Sequence, residues 1–239
     1  MQSINDIKHC FYINLDKRDD RKQHVEQQLN NLGVPYERFK AVQLENGAIG
    51  CSMSHLSILV KARKEQLPHV MIVEDDITFL NPELFKKQIT KIMRTAHDFD
   101  VLLIAGNNVP PFQQINDACV KVSTCQTTTG YLVKQHYYDT LIDNIKTGIN
   151  KLMREPQNHI LYAIDKYWFQ LQQRDRWYLV IPLTVTQRED YSDIEKRATN
   201  YSRAMLDLDK VEFMKYQQRM RKQMIENQKM RGIFNNQLP

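Results

Sequence analysis

The sequence predicts an α/β fold in which helices cover both faces of a mixed, mostly parallel sheet. One sequence pattern and one general rule of packing lead to this prediction. Short apolar segments alternate with amphipathic stretches of helical length through the first half of the chain. Strands that are separated by helices of this length pair mostly in parallel, and the helices then pack on both faces of the sheet.

Each element of the first half has its own sequence signal. The predicted strands span residues 8–15, 36–42, 69–73 and 100–105. The first predicted helix carries Val25, Leu29 and Leu32 on one face and ends at Gly33. The second spans residues 52–66, and the third begins with Pro82 after the capping residue Asn81.

The pattern is less regular beyond Gly106. We predict strands at 119–124, 128–133 and 177–181, and helices at 135–153 and 159–173. From Ala198 onward the chain is polar and rich in glutamine, which is typical of exposed helices. The sequence therefore predicts one domain over residues 1–197 and a basic, helical C-terminal extension over 198–239.

Composition sets limits on the class of protein. The chain has 239 residues, of which 42% are hydrophobic and 26% charged, and a formal net charge of +5. Its longest apolar runs are too short to span a bilayer, and its first residues lack the pattern of a signal peptide. The four cysteines have neither zinc-finger spacing nor the density of a disulfide scaffold. We therefore expect a cytoplasmic protein without a transmembrane segment.

Three carboxylates, Glu74, Asp75 and Asp76, directly follow the buried segment 70–73. Clustered carboxylates repel one another unless a cation balances them, and ligands of open α/β sheets bind beyond the carboxyl ends of the strands. Side chains alternate along an extended segment, so we expect Glu74 and Asp76 on one side and Asp75 on the other. Oxygen ligands favour Mn²⁺ or Mg²⁺, so we predict that Glu74 and Asp76 bind such a metal. A solvated acidic turn is the alternative.

Four motifs follow one another along the chain: Ile13-Asn14-Leu15 with Arg18 and Arg21, Gly50-Cys51 with Ser54-His55, Glu74-Asp75-Asp76-Ile77, and Thr129-Gly130-Tyr131-Leu132. In this order they resemble the motifs of glycosyltransferase family 25, which includes lipooligosaccharide and collagen galactosyltransferases. Asp165 and the segment 191–194 are similar to less specific family patterns. The resemblance covers about residues 8–197. Leu59 stands where members often have tryptophan, and the tail after Asp209 has no counterpart in the family pattern.

The resemblance implies a GT-A type, Rossmann-like domain. It also implies an inverting transfer of a hexose, galactose or glucose, from a UDP-sugar to a hydroxyl of a glycan or a protein, with manganese as the cofactor. The residues expected at the nucleotide-sugar donor are Asn14, Arg18, Arg21, Gly50, Ser54, His55 and Asp75. For the two arginines the alternative is local salt bridging to Asp16, Asp19 or Asp20, and for His55 it is a buried packing role.

An inverting transfer needs a carboxylate that accepts the proton of the attacking hydroxyl. Asp165 is the first candidate for this general base, and Asp193 and Glu189 are the next. The aromatic residues around Asp165, among them Trp168, are expected either to stack on a sugar or to pack a helix into the core.

Two other functions are compatible with parts of the sequence. The basic segment 210–231 contains aromatic residues and methionines, so it could bind nucleic acid, but a solvated helix or a homodimerisation arm is the favoured interpretation and no nucleic-acid-binding motif is present. A magnesium-dependent phosphohydrolase would use Asp75 or Asp76 as its nucleophile. Its supporting lysine and threonine motifs are not evident.

Overall fold

The computed structural model describes residues 1–192 and 196–235, with side chains throughout except Phe213 and residues 225–235. The strands are β1 Cys10–Asn14, β2 Glu37–Lys40, β3 His69–Glu74, β4 Ile77–Phe79, β5 Val101–Leu103, β6 Asn107–Asn108, β7 Phe112–Gln114, β8 Cys119–Val122, β9 Cys125–Gln126, β10 Gly130–Lys134, β11 Trp177–Val180, β12 Val185–Gln187, β13 Asp190–Ser192 and β14 Arg197–Thr199. The helices are α1 Asp19–Leu32, α2 Gly47–Lys64, α3 Pro82–Thr95, α4 Tyr138–Arg154, α5 His159–Tyr162, α6 Ile164–Tyr167, α7 Phe169–Arg174, α8 Ser202–Met205 and α9 Val211–Asn235.

A central eight-stranded sheet has the order β2-β1-β3-β10-β5-β11-β8-β7. Strand β1 pairs in parallel with β2 and β3, and β5 pairs in parallel with β11. Strands β10 and β8 run against their neighbours, so all the other strands of this sheet point the same way. The mostly parallel, mixed α/β sheet that the sequence predicts is confirmed.

The two faces of the sheet bury separate cores. Helices α1 and α3 cover one face, where they pack on Met71 and Val73 of β3. Helices α2 and α4 cover the other face and contact Val70 and Ile72 of the same strand. Because successive side chains of a strand point to opposite faces, the continuous apolar run of β3 buries both sides and leaves its polar end at the sheet edge.

Capping residues define most helix ends near the site. Gly33 ends α1 in the left-handed region, with φ 70°, and Asn81 accepts a hydrogen bond from the Leu84 amide at the start of α3. Asn46 accepts from the amides of Ala48 and Ile49 and so starts α2 at Gly47, five residues before the predicted start. The capping residue Asn46 is visible in the sequence. The predicted start at residue 52 is too late because it was chosen from the hydrophobic pattern, which begins after the cap.

The single helix predicted over residues 159–173 is wrong. Three short helices, α5 to α7, occupy this segment, and Ala163 interrupts them with an extended backbone at ψ 147°. Tertiary hydrogen bonds hold the broken arrangement: Asp165 accepts from the Thr127 amide, and Trp168 donates to the carbonyl of Cys125. These contacts are between residues far apart in the chain, so helical periodicity could not reveal them.

The segment after residue 198 stays in contact with the domain as far as Lys210. Met205 is buried in the core that α1 and α3 form, and Asn108 donates a hydrogen bond to the carbonyl of Leu208. Helix α9 follows. Among the residues described, no helix is both long and apolar enough to cross a membrane. The domain boundary at residue 197, the cytoplasmic location and homodimerisation through the extension stay predictions.

Candidate active site

The acidic motif lies where β3 ends at the sheet edge. Glu74 is the last residue of β3, whereas Asp75 and Asp76 form the tight turn that leads into β4. The predicted alternation of the three side chains therefore stops at Glu74. Asp75 and Asp76 both contact Arg21, so the expectation that Asp75 points away from Asp76 is wrong.

Asp75 is held by two residues of the first motif. Its Oδ2 atom accepts a hydrogen bond of 2.7 Å from Nδ2 of Asn14, and its Oδ1 atom lies 3.0 Å from Nη1 of Arg21. Burial raises the pKa of Asp75, although these partners oppose the shift. Asn14 also donates to the carbonyl of Arg18 and accepts from Arg38, so in this arrangement it orients Asp75.

Asp76 is the least satisfied carboxylate of the motif. Its Oδ2 atom lies 3.0 Å from Nη1 of Arg21, but its Oδ1 atom is buried and makes no hydrogen bond with any residue in the described ranges. Burial, followed by repulsion from Glu74, raises the pKa of Asp76 to about 8. Arg21 alone does not offset the negative charge of the motif. A further cation would find an available oxygen here.

Two arginines lie at the start of α1, and Arg21 is the one that contacts the acidic motif. Arg21 and Arg18 both bind Asp190 on β13, and both donate to the carbonyl of Tyr191. Arg18 also pairs with Asp20, which is one of the local salt bridges expected as the alternative. Asp190 was missed at the sequence level because it is 169 residues from Arg21 and lies next to the more prominent candidate Glu189.

Glu74 points to a different set of partners. Its Oε1 atom accepts a hydrogen bond of 2.7 Å from Thr128 and lies 3.6 Å from Sγ of Cys51, and its Oε2 atom lies 3.4 Å from Nε2 of Gln187. Burial alone would raise the pKa of Glu74, but its contacts with His55 and Thr128 hold that pKa below the ordinary value.

His55 is fully buried between Glu74 and Tyr131. Its Nδ1 atom is 2.9 Å from the Tyr131 hydroxyl, the two rings stack at a centroid distance of 5.6 Å, and Nε2 lies 3.5 Å from Oε1 of Glu74. The motifs that contain His55, Glu74 and Tyr131 therefore meet at one place. A direct contact of His55 with the donor stays a prediction, and the observed partners are protein side chains.

Gly50 and Ser54 have local structural partners. A Cβ atom on Gly50 would lie 2.5 Å from the carbonyl oxygen of Val42, so only glycine allows α2 to approach the segment after β2 this closely. The hydroxyl of Ser54 donates to the carbonyl of Gly50 and accepts from the amide of Val42. This close backbone approach is to the protein's own chain, and contacts of Gly50 and Ser54 with the donor stay predictions.

Asp165 is linked to Glu74 through two adjacent threonines. Its Oδ2 atom accepts from the amide of Thr127, while Thr128 donates to Glu74. Thr127 has φ 76°, which is a genuine outlier for a β-branched residue, and such strain is often found at functional sites. Trp168 is buried in the core and packs edge-on against Trp177, so of the two roles expected for it the packing role is the one observed.

The two other base candidates differ in position. Asp193 lies outside the described residues. Glu189 is exposed and accepts a hydrogen bond of 2.7 Å from Asn200.

Sequence reasoning missed Thr128, Gln187 and Asp190 as neighbours of the site. The run of three threonines before Gly130 was the only local signal for any of them.

Two curated proteins are similar in sequence to part of this chain. The chain is 25% identical over 162 residues to a "Glycosyltransferase 25 family member" of Drosophila melanogaster, a match that covers 53% of this chain and 26% of the relative. It is 24% identical over 132 residues to a "Putative glycosyltransferase" of Haemophilus influenzae, with 46% of each chain covered. The chain thus spans about a quarter to a half of the length of these relatives.

Among solved structures, UDP-glucose pyrophosphorylase complexed with UDP-glucose aligns with a TM-score of 0.46 and 9% identity, covering 73% of this chain and 90% of that one. A likeness this weak carries no conclusion about the function of this chain.

The sequence profile of glycosyltransferase family 25, described as an LPS biosynthesis protein, matches residues 7–47 and 43–168. This match covers well over half of the sequence and includes the first four motifs, and the chain belongs to glycosyltransferase family 25.

Proposed function

We propose that this chain is a metal-dependent, inverting glycosyltransferase that moves a hexose from a UDP-sugar to a hydroxyl acceptor. One observation carries the proposal beyond family membership. The Oδ1 atom of Asp76 is buried, lacks a hydrogen-bond partner among the described residues, and lies with two further carboxylates where β3 ends. Buried polar atoms are normally paired, so an unpaired carboxylate oxygen in an acidic cluster indicates an ionic ligand.

The residues present fit a hard divalent cation such as Mn²⁺ or Mg²⁺. Asp76 supplies the available oxygen, and Oε2 of Glu74 has only a long contact with Gln187, so Asp76 with Glu74 would hold the ion. With an ion held by these two residues, the site would supply positive charge that offsets the charge developing on the leaving nucleotide. Arg21 already neutralises part of the acidic cluster, which lowers the cost of keeping these carboxylates together before the ion binds.

Arg18 and Arg21 are suited to binding the donor diphosphate. A guanidinium group donates several hydrogen bonds in a fixed planar geometry that matches phosphate oxygens. Both side chains are largely buried against the β13 segment, which restricts their conformations. In this proposal the nucleotide binds between the start of α1 and the end of β3, and Asn14 keeps Asp75 in place beside it.

Asp165 is proposed as the base that accepts the proton of the attacking hydroxyl. Its side chain is 23% exposed, so an acceptor could reach it, and the Thr127 amide holds one of its oxygens. The link through Thr127 and Thr128 fixes its position relative to Glu74. A base on the opposite side of the reacting carbon from the leaving group is what an inverting transfer requires.

The donor sugar is proposed to be galactose or glucose, and the acceptor a hydroxyl on a glycan or a protein. The experiment that tests the reaction type incubates the chain with a panel of UDP-sugars and measures released UDP and free sugar, with Mn²⁺ or with a chelator. We expect release from one UDP-hexose that depends on Mn²⁺. Phosphate release from phosphoesters, without UDP release from any sugar donor, would instead assign the site to a phosphohydrolase.

A further inference from the structure

Cys51 and His55 lie on the same face of α2. They are four residues apart, and residues at this spacing are neighbours on a helix surface. Both side chains extend toward Glu74 at the end of β3. Their ligand atoms, Sγ, Nε2 and a carboxylate oxygen, all lie within 4.8 Å of one another. One thiol, one imidazole and one carboxylate therefore converge on a small volume.

The separations within this cluster suit a single metal ion. Sγ of Cys51 is 3.6 Å and Nε2 of His55 is 3.5 Å from the same oxygen, Oε1 of Glu74. Metal–ligand bonds of about 2.0–2.3 Å in a tetrahedron place neighbouring ligand atoms about 3.3–3.6 Å apart. The three side chains would need little movement to bind an ion.

An independent observation at His55 also indicates a ligand. The ring is fully buried, and its Nε2 atom makes no hydrogen bond within the described part of the chain. Its other nitrogen, Nδ1, is fixed by the Tyr131 hydroxyl at 2.9 Å. When Nδ1 carries the ring proton, Nε2 presents a lone pair to Cys51 and Glu74. This is the outer hydrogen bond that orients histidine ligands in metal proteins.

We propose that Cys51, His55 and Glu74 form a second metal site, which is selective for zinc-like ions and shares only Glu74, through its other oxygen, with the donor-binding ion at Asp76. Thiolate and imidazole ligands favour Zn²⁺ over Mg²⁺ or Mn²⁺, whereas the oxygen of Asp76 has the reverse preference. Glu74 has two carboxylate oxygens, of which Oε1 belongs to this cluster and Oε2 faces Gln187. An ion here would connect α2 to β3 and fix Glu74 within the acidic motif.

Access to the cluster is consistent with exchange of the ion. Cys51 is partly exposed and the side chain of Glu74 is 19% exposed, although His55 is fully buried. The other cysteines, Cys10, Cys119 and Cys125, are buried elsewhere in the structure. A spectroscopic signal from a metal-bound thiolate can therefore be assigned by substitution.

Cobalt substitution tests the proposal on the whole chain. The protein is stripped with a chelator and titrated with Co²⁺, which reports tetrahedral thiolate ligation by charge-transfer absorption in the near ultraviolet and intense bands in the visible. We expect these bands to saturate at one equivalent and to disappear when Zn²⁺ is added. C51S should lose the charge-transfer band, while C10S and D76N should retain it.

X-ray absorption of the zinc-loaded wild-type protein gives a second readout that does not depend on any variant folding. It should show one sulfur ligand with nitrogen and oxygen neighbours. The proposal is overturned if the wild-type protein gives no thiolate band, if C51S keeps the band, or if the zinc has no sulfur ligand. His55 would then serve only to position Glu74. Because D76N is a separate arm, loss of UDP binding does not affect this result.

Discussion

Nη1 of Arg21 lies 3.0 Å from Oδ2 of Asp76 and 3.0 Å from Oδ1 of Asp75. One guanidinium nitrogen therefore contacts two of the three carboxylates at the end of β3, and Asp190 binds the same side chain through Nε. The pKa of Asp76 nevertheless stays raised to about 8 because of burial and the nearby charge of Glu74. A negative charge on Asp76 is therefore unfavourable until a further cation offsets it.

Replacing Arg21 by glutamine should make the stability of the protein depend on Mn²⁺ more strongly than that of the wild type does. The substitution leaves buried carboxylates without their charged partner, so we expect a loss of about 2 kcal/mol in the free energy of unfolding when a chelator is present. Mn²⁺ should recover part of this loss. The measurement is urea unfolding with chelator or with Mn²⁺.

Arg63→Gln is the matched control for this prediction. Arg63 is exposed on α2 and pairs with Asp139 on α4, so it tests the loss of an arginine salt bridge outside the acidic motif. Its loss should leave the Mn²⁺ dependence of stability as it is in the wild type. Equal stability of the Arg21 variant with Mn²⁺ and with chelator would contradict the role given to Arg21.

Replacing Asp165 by asparagine should lower turnover by a factor of about 10² to 10⁴. Asparagine keeps the oxygen that accepts from the Thr127 amide, so the fold should be retained, but it cannot take up a proton. UDP and Mn²⁺ should bind as they do to the wild type, as calorimetry can measure. Asp143→Asn, at an exposed position on α4, is the control. A variant with reduced thermal stability and near-normal turnover would indicate a structural Asp165 and move the base to Asp193 or Glu189.

The free energy of unfolding should fall in mild acid because His69 is buried in its neutral form. Burial, with a smaller contribution from His9, lowers the pKa of His69 from 6.5 to about 4, and its Nε2 atom accepts a hydrogen bond from the Lys8 amide. Between these two pKa values the unfolded chain binds a proton that the folded chain does not, so stability falls as the pH falls. The expected loss from this group is about 2 kcal/mol between neutral pH and pH 5.

Urea unfolding of wild type and His69→Gln at several pH values measures this effect. Glutamine can still accept from the Lys8 amide but does not titrate, so the variant should have a flatter profile between pH 7 and pH 5. If the two profiles are parallel, His69 is not the group responsible.

Removing residues 211–239 should leave turnover unchanged. The described residues of the candidate site all precede Ser192, and the chain is held to the domain as far as Lys210, which is largely buried and donates to the carbonyls of Ala204 and Asp207. A shorter truncation product ending at Asn200 is the control, because it also loses buried Met205 and should be less stable by about 2–5 kcal/mol. Loss of turnover in the longer, folded product would assign α9 to the reaction.

Local signals were enough to predict most of the sheet and its helices. The continuous apolar run of β3, the left-handed cap at Gly33 and the Asn81-Pro82 start of α3 each act over a few residues, and each is observed. The break at Ala163 was not predictable in the same way. It depends on hydrogen bonds between residues 125–127 and 165–168, which the order of residues does not reveal.

The sequence was enough to predict which residues form the site and where they lie along the chain. It was not enough to predict which of them form ion pairs with one another. The sequence indicated three carboxylates at a strand end and two arginines after the first strand, but it did not indicate that Asp190 binds both arginines. It also placed Glu74 and Asp76 on one side of an extended segment. The turn at residues 75–76 instead brings Asp75 and Asp76 together on Arg21 and leaves Glu74 with His55.

The most direct test of the proposed function is calorimetric titration of UDP into Asp76→Asn with Mn²⁺ and with a chelator. Asparagine preserves the size of the side chain and one oxygen but removes the charge that an ion needs. We expect the wild type to bind UDP much more tightly with Mn²⁺, and the variant to lose that difference while keeping its thermal stability, with Asp139→Asn, at an exposed carboxylate, behaving as the wild type. Unchanged Mn²⁺-dependent affinity for UDP in Asp76→Asn would contradict the assignment of this residue to the metal.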